Sequence, residues 1–180
     1  MNDRMKILDI GSGVTNGPEG LWTDAEVFRL DIDHELKPDY VHDITKPFPE
    51  ELHRQFDVVY CSHILEHISW RDVIKTLENI SEAAKPGGEM CIIVPDITMA
   101  CRMILEGKYT IGVVGVLYGS QTNQWQYHST GFTKETLAQM LNAIGWRVSR
   151  WKIDKFKVIM NGVEEMADQI VMFAEREQEV

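Results

Sequence analysis

The sequence predicts an α/β fold built on a mostly parallel sheet, and three observations carry that expectation. Short apolar runs alternate with amphipathic helical patterns along the chain. The first run, Ile7-Leu8-Asp9-Ile10, passes directly into Gly11-Ser12-Gly13, a turn whose glycines let backbone amides approach a ligand closely. The second run ends in Leu30-Asp31-Ile32, which sets a carboxylate at the tip of a neighbouring strand.

Taken in order, residues 6–10 form the first strand. Residues 14–24 carry Gly17, Pro18 and Gly20, which argue against a regular helix before the second strand at 26–32. A short third strand spans 39–42 and is closed by Asp43. Residues 56–62 read as a buried fourth strand because Val58-Val59-Tyr60-Cys61 lacks polar alternation. A helix is expected from Ser69, where Ser69 and Asp72 make an S-x-x-D start. Val73, Leu77, Ile80 and Ala84 give it one apolar face, and Pro86-Gly87-Gly88 stops it. Residues 90–94 form a fifth strand ended by Pro95, and 98–105 a helix. Residues 107–132 read as a long irregular segment. Thr133 caps a helix carrying Leu137, Met140, Leu141 and Ile144, which Gly145 ends. Two last strands, 146–153 and 169–174, lack a full helix between them and should pair antiparallel. Alternating strands and helices imply a sheet covered on both faces, with the loops after the parallel strands gathered on the ligand-binding edge.

A chain of 180 residues favours one domain over residues 1–180, with a real core. Hydrophobic residues at 44% exclude disorder, and no apolar run is long enough to cross a bilayer. No stretch reads as a signal peptide, so a cytoplasmic location without membrane association is expected. Cys61 and Cys91 lie in apolar strands and read as buried thiols, as suits a reducing compartment. A net charge of −10 disfavours nucleic acid as a partner, and the cluster of Lys152, Lys155 and Lys157 reads as a solvated strand end.

Gly11, Gly13 and Asp31 together suggest a nucleoside held across two strand ends, with Asp31 accepting from ribose hydroxyls. Asp33 lies further out and is expected to be solvated. Asp43 suits either the exocyclic amine of adenine, with Ile44 against the ring, or an aspartate turn bonding its own backbone. Ser62 and His63 follow the fourth strand on the ligand edge. His63-Ile64-Leu65-Glu66-His67 satisfies H-x-x-E-H, a zinc-protease pattern. No distant third ligand stands out, so no metal is expected; Glu66 and His67 are expected to fix the loop by hydrogen bonds. Within 107–132, Tyr118, Gln121, Asn123, Trp125, Tyr127 and His128 crowd one polar, aromatic stretch, which suits a substrate lid. His128 is the first candidate for a general base and His63 the second.

Leu8-Asp9-Ile10-Gly11-Ser12-Gly13, Leu30-Asp31, His42-Asp43-Ile44, Phe56-Asp57-Val58-Val59, His63-Ile64-Leu65-Glu66-His67 and Lys85-Pro86-Gly87-Gly88 resemble the ordered motifs of class I S-adenosylmethionine-dependent methyltransferases. The chain is more closely similar to small bacterial and phage methyltransferases of the type 11-like group. These share the glycine–proline loop in place of a first helix. They also share stretches resembling Tyr118-Gly119-Ser120-Gln121 and His128-Ser129-Thr130-Gly131-Phe132-Thr133. Thr15 stands where the usual turn has a third glycine.

The resemblance implies a three-layer Rossmann-like fold with a seven-stranded sheet ordered 3-2-1-4-5-7-6 and strand 7 antiparallel. It implies S-adenosylmethionine as cofactor. Asp9, Gly11, Ser12 and Gly13 would hold its methionine part, Asp31 and Ile32 the ribose, Asp43 and Ile44 the adenine, and Ser62 and His63 the sulfonium side. Methyl transfer to an oxygen or nitrogen of a small-molecule acceptor is then expected. Tyr118, Gln121, Trp125 and Tyr127 would be on the acceptor and His128 would take its proton. Two alternatives stay open: a non-catalytic binder of the same cofactor, and an NAD-dependent oxidoreductase. The second lacks the last glycine of the dinucleotide fingerprint, since Asn16 occupies that position.

Overall fold

A computed structural model describes residues 4–13 and 17–176. Thr15 and Asn16, on which two of the sequence arguments turned, lie outside these described residues. The elements run β1 (Lys6–Ile10), β2 (Glu26–Asp31), β3 (Tyr40–Val41), β4 (Phe56–Ser62), α1 (Val73–Ser81), β5 (Ala84–Pro95), α2 (Ile97–Leu105), α3 (Ile111–Tyr118), α4 (Lys134–Ala143), β6 (Trp146–Met160) and β7 (Val163–Arg176). The seven strands form one sheet ordered β3-β2-β1-β4-β5-β7-β6. β1 to β5 are mutually parallel, whereas β7 runs antiparallel to both β5 and β6. The predicted α/β class, strand order and antiparallel strand all hold.

The main core lies between the sheet and helices α1 and α4. Leu8, Ile10, Val59 and Ile92 from the strands meet Val73, Leu77 and Ile80 of α1 and Leu137 and Leu141 of α4. The other face is covered differently from the expected second helical layer. Its cluster of Ile7, Val58, Tyr60, Cys91, Ile93, Val171 and Phe173 packs against Trp22, Ala25 and Val27. No helical side chain belongs to it among the described residues. Trp22 stands edge-on to Tyr60 and Phe173, at centroid distances of 6.2 and 6.3 Å. One indole thus does part of the covering that a first helix would do.

Both ends of α1 differ from the sequence reading. α1 begins at Val73, because residues 69–72 close a turn in which Asp72 N–H donates to Ser69 O. It ends at Ser81, not at Pro86. Residues 82–84 instead pair with the entry to β4, where Arg54, Gln55 and Phe56 amides donate to Glu82 and Ala83 carbonyls. Pro86, which has no N–H, sits where the β4–β5 register shifts between Phe56 and Val58.

The segment 107–132, expected to be irregular, contains α3. Its sequence, Ile-Gly-Val-Val-Gly-Val-Leu-Tyr, is a poor helix former. Tertiary packing overrides that preference: Val113 and Val116 bury against Val158 and Ala167 of the β6–β7 hairpin. Gly115 permits the approach, since a Cβ there would lie 2.5 Å from Val158 Cγ1. The hairpin itself extends well past the expected strand ends. Its lysines are paired, Lys152 with Asp154, Lys155 with Asp168 and Lys157 with Glu164. No helix among the described residues is long and apolar enough to cross a membrane.

Candidate active site

The glycine turn after β1 is shaped by two demands. Gly11 has φ +65°, and its N–H donates to Leu30 O at 2.8 Å, which fastens the turn to the end of β2. A Cβ on Gly11 would fall 2.0 Å from Ile64 Cδ1, so the turn after β4 occupies the space a side chain would need. Gly13 N–H then donates to Asp31 Oδ2 at 3.0 Å, and Asp33 N–H to Asp31 Oδ1 at 2.9 Å. These bonds orient the Asp31 carboxylate, and each oxygen retains a lone pair for a diol. Asp33 caps the turn that follows by accepting from Glu35 N–H.

The turn borders a cleft of about 820 Å³ along the carboxyl ends of the parallel strands. Gly11, Gly13, Asp31, Ile32, Asp43, Ile44, Ser62 and His63, all singled out from the sequence, line it. Asp9 and Ser12 do not; they are buried beneath the turn. Asp9 Oδ2 has no hydrogen-bond partner there. Burial, with Glu19 and Asp31 adding to it, pushes the Asp9 carboxyl up to about 6. Asp43 makes the aspartate turn that was one of its two readings. Its Oδ1 accepts from Thr45 N–H at 3.0 Å and Thr45 Oγ1–H at 2.7 Å. Burial raises its carboxyl, but these bonds outweigh it and hold it below the usual range.

The turn after β4 also meets the loop after α3. Four hydrogen bonds join them: Ser129 and Thr130 amides to Glu66 O, Thr130 Oγ1–H to Ile68 O, and His67 Nδ1–H to Tyr127 O. His67 therefore fixes the loop as expected, whereas the Glu66 side chain does not. Its carboxylate is buried with no hydrogen-bond partner, and the backbone carbonyl makes the bonds instead. His128 donates Nδ1–H to Val116 O at 2.9 Å, leaving Nε2 as a lone pair. Burial holds its pKa below the ordinary value. His63 sits at φ +55°, with Nε2 2.8 Å from Gln169 Oε1 and Nδ1 3.2 Å from Glu66 Oε1. Burial lowers its pKa, but Glu66 outweighs this and raises it. With oxygens facing both ring nitrogens, His63 is poorly placed to accept a proton. That corrects its standing as a second base.

Trp125, Tyr127 and His128 line the cleft, while Tyr118 and Gln121 stand outside it. Tyr118 ends α3, where its carbonyl accepts from His128 N–H, and Gln121 turns its amide back onto the same carbonyl. Residues missed in the sequence come from the extended hairpin: Phe156, Val158 and Met160 all line the cleft. Phe156 lies 4.8 Å from the His63 ring. The alternation in Phe156-Lys157-Val158-Ile159-Met160 was the available signal. A further group also went unseen. Ligand atoms of Glu66, His67 and His128 lie within 4.8 Å of one another, so His128 supplies the third group that the H-x-x-E-H segment lacked.

The cleft is bordered by the glycine turn and the Asp31 carboxylate and by His63, His67 and His128. Several solved structures share the fold. A methyltransferase of Methanosarcina mazei superposes with TM-score 0.72 at 13% identity, over 99% of this chain and 95% of that one. The 1,6-didemethyltoxoflavin-N1-methyltransferase of Burkholderia thailandensis, solved with S-adenosylhomocysteine, gives 0.62 at 17%, over 97% and 72%. The N-methyltransferase NodS of Bradyrhizobium japonicum, also with S-adenosylhomocysteine, gives 0.62 at 12%, over 97% and 79%. No curated protein sequence matches the chain. Residues 1–150 match the family described as Methyltransferase domain. The chain therefore belongs to that family and is an S-adenosylmethionine-dependent methyltransferase.

Proposed function

We propose that the protein transfers the methyl group to an oxygen or nitrogen atom of a small molecule bound at the His128 end of the cleft. The observation that carries the reading is the polarity of the one continuous cleft. Gly11, Gly13 and Asp31, which would hold the cofactor, and Trp125, Tyr127 and His128, which would meet the acceptor, line the same cleft. Asp31 would accept from the ribose hydroxyls, and Ile32 and Ile44 would pack on the nucleoside. Trp125 and Tyr127 would stack on the acceptor.

The chemistry is a displacement at the methyl carbon. The acceptor lone pair forms the new bond while the C–S bond breaks, and sulfur keeps the electron pair. Alignment of the reacting atoms supplies most of the acceleration, up to roughly 7–11 kcal/mol where it is well fixed. His128 Nε2 would take the acceptor's proton. Relatives of this fold act on small molecules, one of them on 1,6-didemethyltoxoflavin, which supports a small acceptor here.

The test is calorimetry with S-adenosylhomocysteine on the wild type and Asp31→Ala. The wild type should bind one equivalent, and Asp31→Ala should bind about 10- to 100-fold more weakly, the loss of one or two charge-assisted bonds. Equal affinity in the two proteins would remove Asp31 from the site.

A further inference from the structure

Glu66, His67 and His128 have no shared role in methyl transfer as described above, yet the fold brings them together. Their ligand atoms lie within 4.8 Å of one another. Ligand atoms bonded to one ion at about 2.1 Å stand at most about 4.2 Å apart, so the triad closes by a small side-chain movement.

The two histidines are presented alike. His67 donates Nδ1–H to Tyr127 O at 3.1 Å, and His128 donates Nδ1–H to Val116 O at 2.9 Å. A ring held this way carries its lone pair on Nε2, the arrangement that fixes the tautomer of metal-ligating histidines. Glu66 is the independent observation. Its residue is 1% exposed, and neither carboxylate oxygen has a hydrogen-bond partner. His63 Nδ1 stands 3.2 Å from Oε1 as an ion-pair partner, its pKa lowered by burial but raised overall by Glu66, and Oε2 faces no partner among the described residues. A buried carboxylate is costly unless a cation meets it. The hydrogen bonds between residues 66–68 and 127–130 hold the two segments together without using the Glu66 carboxylate or either Nε2 atom.

We propose that Glu66, His67 and His128 bind one divalent first-row transition-metal ion at the acceptor end of the cleft. Two imidazoles and one carboxylate select zinc, cobalt or manganese over magnesium and calcium, which prefer oxygen donors. All three residues line the cleft, so the remaining coordination positions face the acceptor. The ion's role, though not its binding, rests on the proposed function. It would polarise an acceptor hydroxyl so that its proton passes to water in the cleft. His128 has one Nε2 lone pair, so it would act as the base proposed above in the metal-free protein and as a ligand, with water taking the proton, in the metal-loaded one.

The experiment titrates Co²⁺ into chelator-treated protein by calorimetry and visible absorption, with Mg²⁺ as competitor. One Co²⁺ per chain is expected, displaced by Zn²⁺ and not by millimolar Mg²⁺. Glu66→Gln, which keeps the side-chain shape, His67→Ala and His128→Ala should each weaken binding about tenfold or more. His34→Ala, outside the triad, should bind as the wild type does. A wild type that takes up neither Co²⁺ nor Zn²⁺ overturns the proposal, as does full affinity in Glu66→Gln. S-adenosylhomocysteine titrations on the same samples separate the two readings. Cofactor binding without Co²⁺ uptake overturns the metal site alone. Co²⁺ uptake without cofactor binding upholds the metal site while removing methyl transfer.

Discussion

Replacing Gly11 by alanine tests how the site is assembled, because the glycine answers to two separate constraints. At φ +65° an L-residue pays about 1–2 kcal/mol for the left-handed backbone. The new methyl group would also start 2.0 Å from Ile64 Cδ1 and 2.3 Å from Cγ1, where carbon atoms need about 3.5–4.0 Å. Moving Ile64 aside is an overpacking cost of roughly 1–3 kcal/mol. The sum is about 2–5 kcal/mol. A chain of this size loses roughly 2–4 °C in Tm per kcal/mol, so a drop of roughly 4–20 °C is expected. Cofactor affinity should fall as well, since Ile64 lines the cleft. A double-mutant cycle separates the two costs. In an Ile64→Ala background the collision disappears, and Gly11→Ala should cost only the backbone part, about 1–2 kcal/mol. Chemical denaturation of the four proteins measures this. An undiminished cost in the Ile64→Ala background would refute the collision, and a Gly11→Ala protein as stable as the wild type would refute both terms.

Three other outcomes are expected. The Asp9 carboxyl, raised from 3.8 to about 6, binds its proton more tightly in the folded state. Its contribution is therefore fully favourable below the unfolded value and is lost as pH rises through about 6, a swing of up to about 3 kcal/mol. Asp9→Asn should accordingly be more stable than the wild type in denaturant titrations at pH 8, and no more stable near pH 4. His128→Ala should lower kcat by about 10²-fold or more while leaving S-adenosylhomocysteine affinity nearly unchanged; unaltered turnover would take His128 out of the chemistry. Trp125, 50% exposed on the cleft wall, should act on acceptor binding: Trp125→Ala should raise KM with kcat little altered, in steady-state kinetics.

Much of the cofactor half was legible in the sequence because it is local. A strand, a glycine turn and an acid at the next strand tip lie within one β-loop-β unit, so spacing alone puts Gly11, Gly13 and Asp31 side by side. Strand order and the antiparallel β7 followed from the motif resemblance, which spans most of the chain. What spacing does not reveal is which side of a turn a group faces. Asp9 and Ser12 share the glycine motif yet are buried and do not line the cleft.

The acceptor half was decided by contacts between distant segments. α3 is helical against its own propensity because Gly115 lets it settle on Val158. That helix then offers Val116 O to orient His128, and its end turns Tyr118 and Gln121 away from the cleft. Residues 66–68 and 127–130 are joined by two backbone hydrogen bonds and by bonds from Thr130 Oγ1 and His67 Nδ1, which link segments about 60 residues apart and bring His128 to Glu66 and His67. The sequence by itself therefore determined the strands and the placing of Gly11, Gly13 and Asp31 side by side, since both depend on periodicity and short-range spacing. Only the tertiary structure decided the histidine cluster, because its members meet through packing between elements far apart along the chain.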